Sequence, residues 1–145
     1  MKVVLALDVG EKRIGVARSD ALGITAQPVE TYNRVNKRAD IEHIVALAKD
    51  SAADTAVVGL PRNMSGTIGS QAQITLNFAK ALMDTGLYIK FIDERLTTAS
   101  ARRTLIEGGV RRDKRKQVID KVAAVEILKT YMDAPQRALA WEDLQ

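Results

Sequence analysis

Val3-Val4-Leu5-Ala6-Leu7-Asp8-Val9-Gly10-Glu11-Lys12-Arg13-Ile14-Gly15-Val16-Ala17 is the stretch whose reading decides the fold. Val3 to Leu7 is a continuous apolar run rich in β-formers, as a central strand covered on both faces requires. Gly10 to Arg13 supplies a turn, and Ile14 to Ala17 reads as the returning strand of a hairpin. A third extended piece runs from about Ile24 to Tyr32. Its Pro28 cannot donate to a ladder, which assigns it to a sheet edge.

Downstream the period changes. Asp40 to Lys49 is helical, with Ile41, Ile44, Val45 and Ala48 on one face. Ala56 to Leu60 is a short buried strand ended by Pro61. A polar loop, Arg62 to Gly69, leads into a second helix where Ile74, Phe78, Ala81 and Leu82 recur at helical spacing, with Ser70 as its N-cap. Tyr88 to Asp93 is another strand, ending in adjacent carboxylates. Thr97 or Thr98 caps a third helix reaching about Glu107, Gly108-Gly109 breaks it and opens a basic loop, and the last helix spans roughly Gln117 to Met132. The order β-β-β-α-β-α-β-α-α predicts an α/β layer fold. Its mixed five-stranded sheet has a three-strand antiparallel portion plus parallel strands, with helices on both faces. Residues 1–134 form one domain in this reading, and residues 135–145, with Trp141, a weakly structured tail.

The chain has 145 residues and no cysteine, which excludes disulfides, thiolate metal sites and a cysteine nucleophile. The apolar start is too short for a signal peptide and no run approaches a membrane span, so the cytoplasm is the expected compartment. The net charge of +4 is localised: Arg102 to Lys116 holds seven basic residues against Glu107 and Asp113, leaving the rest near neutral. One concentrated basic segment suits a phosphate-rich partner. A loop made basic for solubility is the plainer account.

Asp8 follows the apolar run where a buried strand emerges, so its carboxylate is costly to ionise unless paired or bound to a cation. An Asx-turn residue starting the hairpin fits the position equally well. Asp93 and Glu94 close a second buried strand the same way. Parallel strands release their carboxyl ends on one sheet edge, where ligands of open α/β sheets bind. Strand side chains alternate faces, so one of the two should face the site; Glu94 has the longer reach, leaving Asp93 to cap the following turn. Asp120 leads an apolar stripe of Ala124, Ile127, Leu128 and Tyr131, with Ala123 and Ala124 small enough to let their helix lie close to the sheet. A first-turn acid complementing the helix dipole is the alternative there. Three such carboxylates form a hard oxygen-donor site suited to Mg²⁺ or Mn²⁺, and a pair of these ions would serve in-line phosphodiester hydrolysis. His43 lies off the apolar face of its helix and reads as a solvated surface residue.

The loop Arg62-Asn63-Met64-Ser65-Gly66-Thr67 lies between a strand and a helix N-terminus, a position that favours phosphate contact. The nucleic-acid-binding candidates are Lys12, Arg13, Arg62, Asn63 and Arg95, with Arg111, Arg112, Lys114, Arg115 and Lys116 of the basic segment. No G-x-x-x-x-G-K-[ST] or G-x-G-x-x-G motif is present.

Five ordered motifs carry a resemblance: Ala6-Leu7-Asp8-Val9-Gly10 with Lys12 to Ala17 and Ser19-Asp20; Val58-Gly59-Leu60-Pro61; Asn63-Met64 with Gly66-Thr67; Asp93-Glu94-Arg95-Leu96-Thr97-Thr98; and Ile119-Asp120 with Ala123-Ala124. Over about Met1 to Asp133 the chain resembles the YqgF family, described as RuvX-type Holliday-junction resolvases or as nucleases of pre-16S ribosomal RNA. The resemblance implies an RNase H-like fold, a bacterial cytoplasmic protein, and an acidic triad at Asp8, Glu94 and Asp120. Ser65 stands where many members have Asp, which counts against a catalytic role for that side chain.

The expected activity is therefore a metal-dependent endonuclease that processes the 5′ end of precursor 16S rRNA. A resolvase of branched DNA ranks second, because symmetric cutting of two strands requires a dimer and nothing in the sequence marks a dimer surface; a monomer or weak dimer is expected. A non-catalytic nucleic-acid-binding or transcription-associated factor is the reading from another class. Sugar kinases and actin-like ATPases also use an Asp-x-Gly strand end, but they close two such domains around ATP.

Overall fold

The computed structural model describes residues 3–63, 65–97 and 112–144, with side chains in the last stretch from 122 onward. Strand β1 (Val3–Val9) and strand β2 (Arg13–Ser19) form the expected hairpin, antiparallel with Asp8 opposite Gly15. Gly10 fits the turn because a Cβ there would lie 2.9 Å from the Arg13 carbonyl, to which the Gly10 amide itself donates at 2.8 Å. Strand β3 (Ala26–Asn33) pairs antiparallel with β2, and its Pro28 sits opposite Ala17 beside a shift in register. Helix α1 (Lys37–Asp50) is capped by Asn36, whose side chain accepts from the Ala39 amide. Then come β4 (Ala53–Leu60), α2 (Ser70–Met83), β5 (Tyr88–Asp93), a 3-10 turn (Glu94–Leu96) and α3 (Arg112–Asp133). The sheet order is β3-β2-β1-β4-β5, with β1, β4 and β5 mutually parallel and β3 at an edge, as Pro28 requires.

Strand alternation sorts the core into two layers. Leu5, Leu7, Val9, Ile14, Val16, Val58, Leu60 and Phe91 pack under α1 and α2. Ala6, Ala17, Val57 and Ile92 pack under α3, against Ala124, Ile127 and Leu128. The small residues at Ala6 and Ala17, met by Ala124 on the helix, are what let α3 lie low over the centre of the sheet. Gly59 completes this fit: a Cβ there would overlap Ile127 Cδ1 and lie 3.1 Å from Ile127 Cγ1.

Several expectations need correction. The buried stripe of α2 is Ala72, Thr75, Phe78, Ala79 and Leu82, whereas Ile74 and Ala81 are only half-buried. Thr75 is admitted to the core because its hydroxyl donates to the Gln71 carbonyl at 3.2 Å. Ser70 is the first residue of α2 rather than its cap; Gly69 holds the cap position in extended conformation. Helix α3 begins at Arg112, not Gln117, so Arg112, Lys114, Arg115 and Lys116 belong to a helix and not to a loop. Lysine and arginine are good helix formers and no breaker follows Gly109. The tail is not loose: Leu139 exchanges both backbone hydrogen bonds with Phe91 at 2.8 Å, extending the open edge of β5, and Leu139, Trp141 and Leu144 pack on the core. The expected helix from Thr97 or Thr98 to Glu107, and the basic residues Arg102, Arg103 and Arg111, lie outside the described residues.

Asp40 ties α1 to the sheet. Only 1% exposed, it accepts from Arg34 Nε at 2.9 Å, the Val35 amide at 2.9 Å and the Tyr32 hydroxyl at 3.0 Å. Burial pushes the Asp40 carboxyl up, and the bonds from Val35, Arg34 and Tyr32 together outweigh it, holding it below the usual carboxylate range. A depressed folded pKa stabilises above the unfolded value and is lost as pH falls through the folded one. Asp40→Asn should therefore cost about 2 kcal/mol at neutral pH and lose less additional stability than the parent below about pH 4, read by urea melts across pH. Gly59→Ala should cost roughly 1 to 3 kcal/mol through overpacking against Ile127, and adding Ile127→Ala should recover part of that cost in the same melts. Additive losses in the double variant would contradict the contact.

Candidate active site

The carboxyl ends of β1, β4 and β5 leave the sheet on one edge, and alternation decides which side chains share a face there. Asp8 has the parity of Ala6, so it lies on the α3 face; it is 7% exposed. Ile92 belongs to the α3 layer, which puts Glu94, two residues on, on the same face and Asp93 on the other. Glu94 is 5% exposed, and its Cγ lies 3.2 Å from where a Gly59 Cβ would be.

The neighbours of Asp8 matter as much as its own position. Gly15 is its partner on β2, and the β1–β4 register, Leu7 beside Val58, continues to set Gly59 beside Asp8 on the other flank. Gly15 has the parity of Ala17, and Gly59 that of Val57, so both glycines are on the α3 face. The carboxylate is thus flanked by a glycine on each adjacent strand, and the space a Gly59 side chain would take is filled by Ile127 and Glu94. Asp120 occupies the position on α3 one helical turn before the buried Ala124; its side chain is outside the described residues. Among the described residues no three carboxylates or imidazoles form a ready cation cluster. The structure brings Asp8 and Glu94 to one face and runs the helix bearing Asp120 across it.

Asp93 does different work on the opposite face. Its carboxylate accepts from the Arg95 amide at 3.0 Å, capping the 3-10 turn that begins at Glu94, and is gripped by Arg95 Nε at 3.1 Å and Nη2 at 2.7 Å. Arg62 Nη1 stands 3.9 Å away. Burial raises the Asp93 carboxyl, but the Arg95 hydrogen bonds and the charges of Arg95 and Arg62 more than reverse this and leave it lowered. Arg62 and Arg95, expected to meet nucleic acid, are accordingly held by Asp93. The Asn63 side chain is also engaged, donating to the Thr67 hydroxyl at 2.8 Å and lying against Gly69. Gly66, at φ +87°, closes this loop against the Arg95 guanidinium, where its left-handed backbone suits glycine. Lys12 is exposed and Arg13 half-buried in the β1–β2 turn.

His43 is neither free nor fully solvated: Nε2 contacts Glu30 Oε1 and the ring stacks on Tyr32 at 4.1 Å. The sequence signal missed near the site was the pair of glycines interrupting apolar β runs, Gly15 and Gly59. A glycine inside a strand marks a close approach, and here both flank the same carboxylate.

Comparison with known proteins agrees with this architecture. Residues 2–134 match the family described as RuvX, Holliday junction resolvase. A protein of Halalkalibacterium halodurans named "Putative pre-16S rRNA nuclease" is 51% identical over 135 residues, covering 91% of this chain and 96% of its own. Identically named proteins of Clostridioides difficile and Heliobacterium modesticaldum are 48% and 47% identical, covering 90% and 96% of this chain and 93% and 94% of their own. Among solved structures, Thermus thermophilus RuvC in complex with a Holliday junction substrate superposes with a TM-score of 0.60 at 11% identity, over 96% of this chain and 100% of that one. A second T. thermophilus RuvC structure gives 0.53 at 12% identity, over 94% of this chain and 98% of that one. The fold is RNase H-like, and with a family match from residue 2 to 134 and close to half its residues shared with full-length relatives, the chain belongs to the RuvX (YqgF) family.

Proposed function

We propose that this chain is a divalent-metal-dependent endonuclease that hydrolyses phosphodiester bonds and trims the 5′ end of precursor 16S rRNA in the cytoplasm. The observation that carries the reading is the pairing of Asp8 and Glu94, both buried, on one sheet face beside Gly15 and Gly59. The names of relatives near 50% identity favour ribosomal RNA over branched DNA.

The donor set fits Mg²⁺ or Mn²⁺: carboxylate oxygens, no thiolate, and the lone histidine engaged elsewhere with Glu30. Asp8, Glu94 and Asp120 would hold one ion or, in the two-ion arrangement, a pair. Such ions supply Lewis-acid stabilisation of phosphoryl oxygens and a more acidic attacking water. The chain's own contribution is placement. Gly59 gives Ile127 and Glu94 room to close over the strand beside Asp8, and Gly15 places no side chain on its other flank. Helix α3 covers the same face and shields it from bulk water. Lys12 and Arg13 flank the site from the β1–β2 turn, and the 102–116 segment, with Arg111, Arg112, Lys114, Arg115 and Lys116, supplies the charge that draws a polyanion in.

A decisive measurement incubates purified protein with precursor rRNA and with four-way DNA junctions, each with Mg²⁺, with Mn²⁺ and with chelator. Precursor cleavage is expected with metal only, and Asp8→Asn should lower it at least about 1,000-fold with an unchanged circular dichroism spectrum. Undiminished cleavage by Asp8→Asn would sink the metal mechanism; faster junction cleavage would move the substrate to DNA; a folded, binding but inert wild type would make the chain a non-catalytic factor. Neutralising Arg111, Arg112, Lys114 and Arg115 should weaken RNA binding and flatten the slope of log affinity against log salt by up to about 3. An unaltered slope would remove these residues from the interface.

A further inference from the structure

The turn that follows Asp8 is held from far away in sequence. The Val9 carbonyl accepts from Gln71 Nε2 at 3.4 Å and Thr75 Oγ1 at 3.5 Å, both on α2. The Gly10 carbonyl accepts from Arg34 Nη1 at 3.0 Å, and the Arg34 amide donates to the Lys12 carbonyl at 2.9 Å. Arg34 thus grips the β1–β2 turn at two points, from the link between β3 and α1.

Its own conformation is fixed on every side. The Arg34 side chain is 17% exposed, its Nε is bound by Asp40 Oδ2 at 2.9 Å, and its guanidinium lies 4.9 Å from the Phe78 ring centroid. Asp40 is held in turn by Tyr32 and the Val35 amide. Reversing a chain does not require such a device. The β2–β3 turn is closed locally, by Asp20 Oδ1 accepting from the Ile24 amide at 2.7 Å and the Thr25 amide at 3.3 Å. The imported cation is found at the turn that carries the candidate catalytic carboxylate.

We propose that Arg34, oriented by Asp40, is a positioning residue that fixes the Val9–Gly10 backbone and through it the placement of Asp8. The inference rests on the nuclease reading. Arg34 touches neither substrate nor metal; it limits the movement of the backbone on which a metal ligand is mounted, and loss of such support lowers metal affinity and turnover together.

The test compares wild type, Arg34→Met, which keeps a long stem over Phe78 but removes the donors, and Arg38→Met, a control at an exposed neighbour that pairs with Glu42 on its own helix. Three quantities are read: amide hydrogen exchange, Mn²⁺ affinity by calorimetry, and single-turnover cleavage of precursor rRNA. For Arg34→Met we expect exchange at the Gly10 amide to rise about tenfold or more while amides of β4 and β5 hold, Mn²⁺ affinity to fall about tenfold, and kcat to fall about tenfold with KM within about twofold. Arg38→Met should match wild type. Wild-type Gly10 exchange and Mn²⁺ affinity in a folded Arg34→Met would overturn the proposal, as would a uniform rise in exchange across the sheet, which is the mark of a merely structural residue. Should Arg34→Met fail to fold, Arg34→Lys carries the same comparison, because it keeps the charge beside Asp40 without the two-pronged reach to Gly10. A wild type that neither binds Mn²⁺ nor cleaves overturns the nuclease reading and this one together, whereas an active wild type with an unaffected variant overturns this one alone.

Discussion

Placing two carboxylates, Asp8 and Glu94, in a dry position on one face of a sheet is the constraint around which the rest of the molecule is arranged. Desolvating each carboxylate costs several kcal/mol, and bringing two like charges to one edge adds to it. Such an arrangement persists only where the surrounding fold leaves the groups nowhere else to go. That condition is met by geometry. Parallel strands deliver the residues to one edge, period-two alternation delivers them to one face, and Gly59 makes room for Glu94 and Ile127 beside Asp8.

The two faces of the sheet have divided the work. The α1/α2 side holds the bracing: Arg34 and Asp40 behind the β1–β2 turn, and Arg62, Asp93 and Arg95 behind the end of β5. Each brace is a buried or half-buried ion pair whose carboxyl is held below its ordinary range. Each also closes on backbone next to a candidate ligand, Gly10 for Asp8 and the Arg95 amide for Glu94. Asp93 and Glu94 are adjacent in sequence yet opposite in role because a strand turns neighbours to opposite faces.

Features carried by local pattern were legible in the sequence. The apolar run ending at Asp8, the hairpin, the edge strand marked by Pro28, the strand ends at Leu60 and Asp93, and the buried stripe of Ala124, Ile127 and Leu128 all follow from periodicity and breakers. What escaped depends on contacts between distant segments. Thr75 enters the core of α2 in place of Ile74 because its hydroxyl finds backbone acceptors, one of them 66 residues away. That Asp93 pairs with both Arg62 and Arg95 likewise depends on the fold. Arg34 and Asp40 carry no sequence signature, since only the docking of α1 against β3 turns two ordinary charged residues into a clamp. Leu139 and Trp141 carried too little pattern to show that the tail extends the edge of β5, which requires the strand itself as partner.

Arg62 and Arg95 are held by Asp93, and the net positive charge of the chain is concentrated in the 102–116 segment. The segment's last residues open α3, and the same helix further on packs Ile127 over Gly59 beside Glu94. The helix that carries basic residues at its start is therefore the one whose depth over the sheet beside Glu94 is fixed by the contact of Ile127 with Gly59, which leaves no spare room.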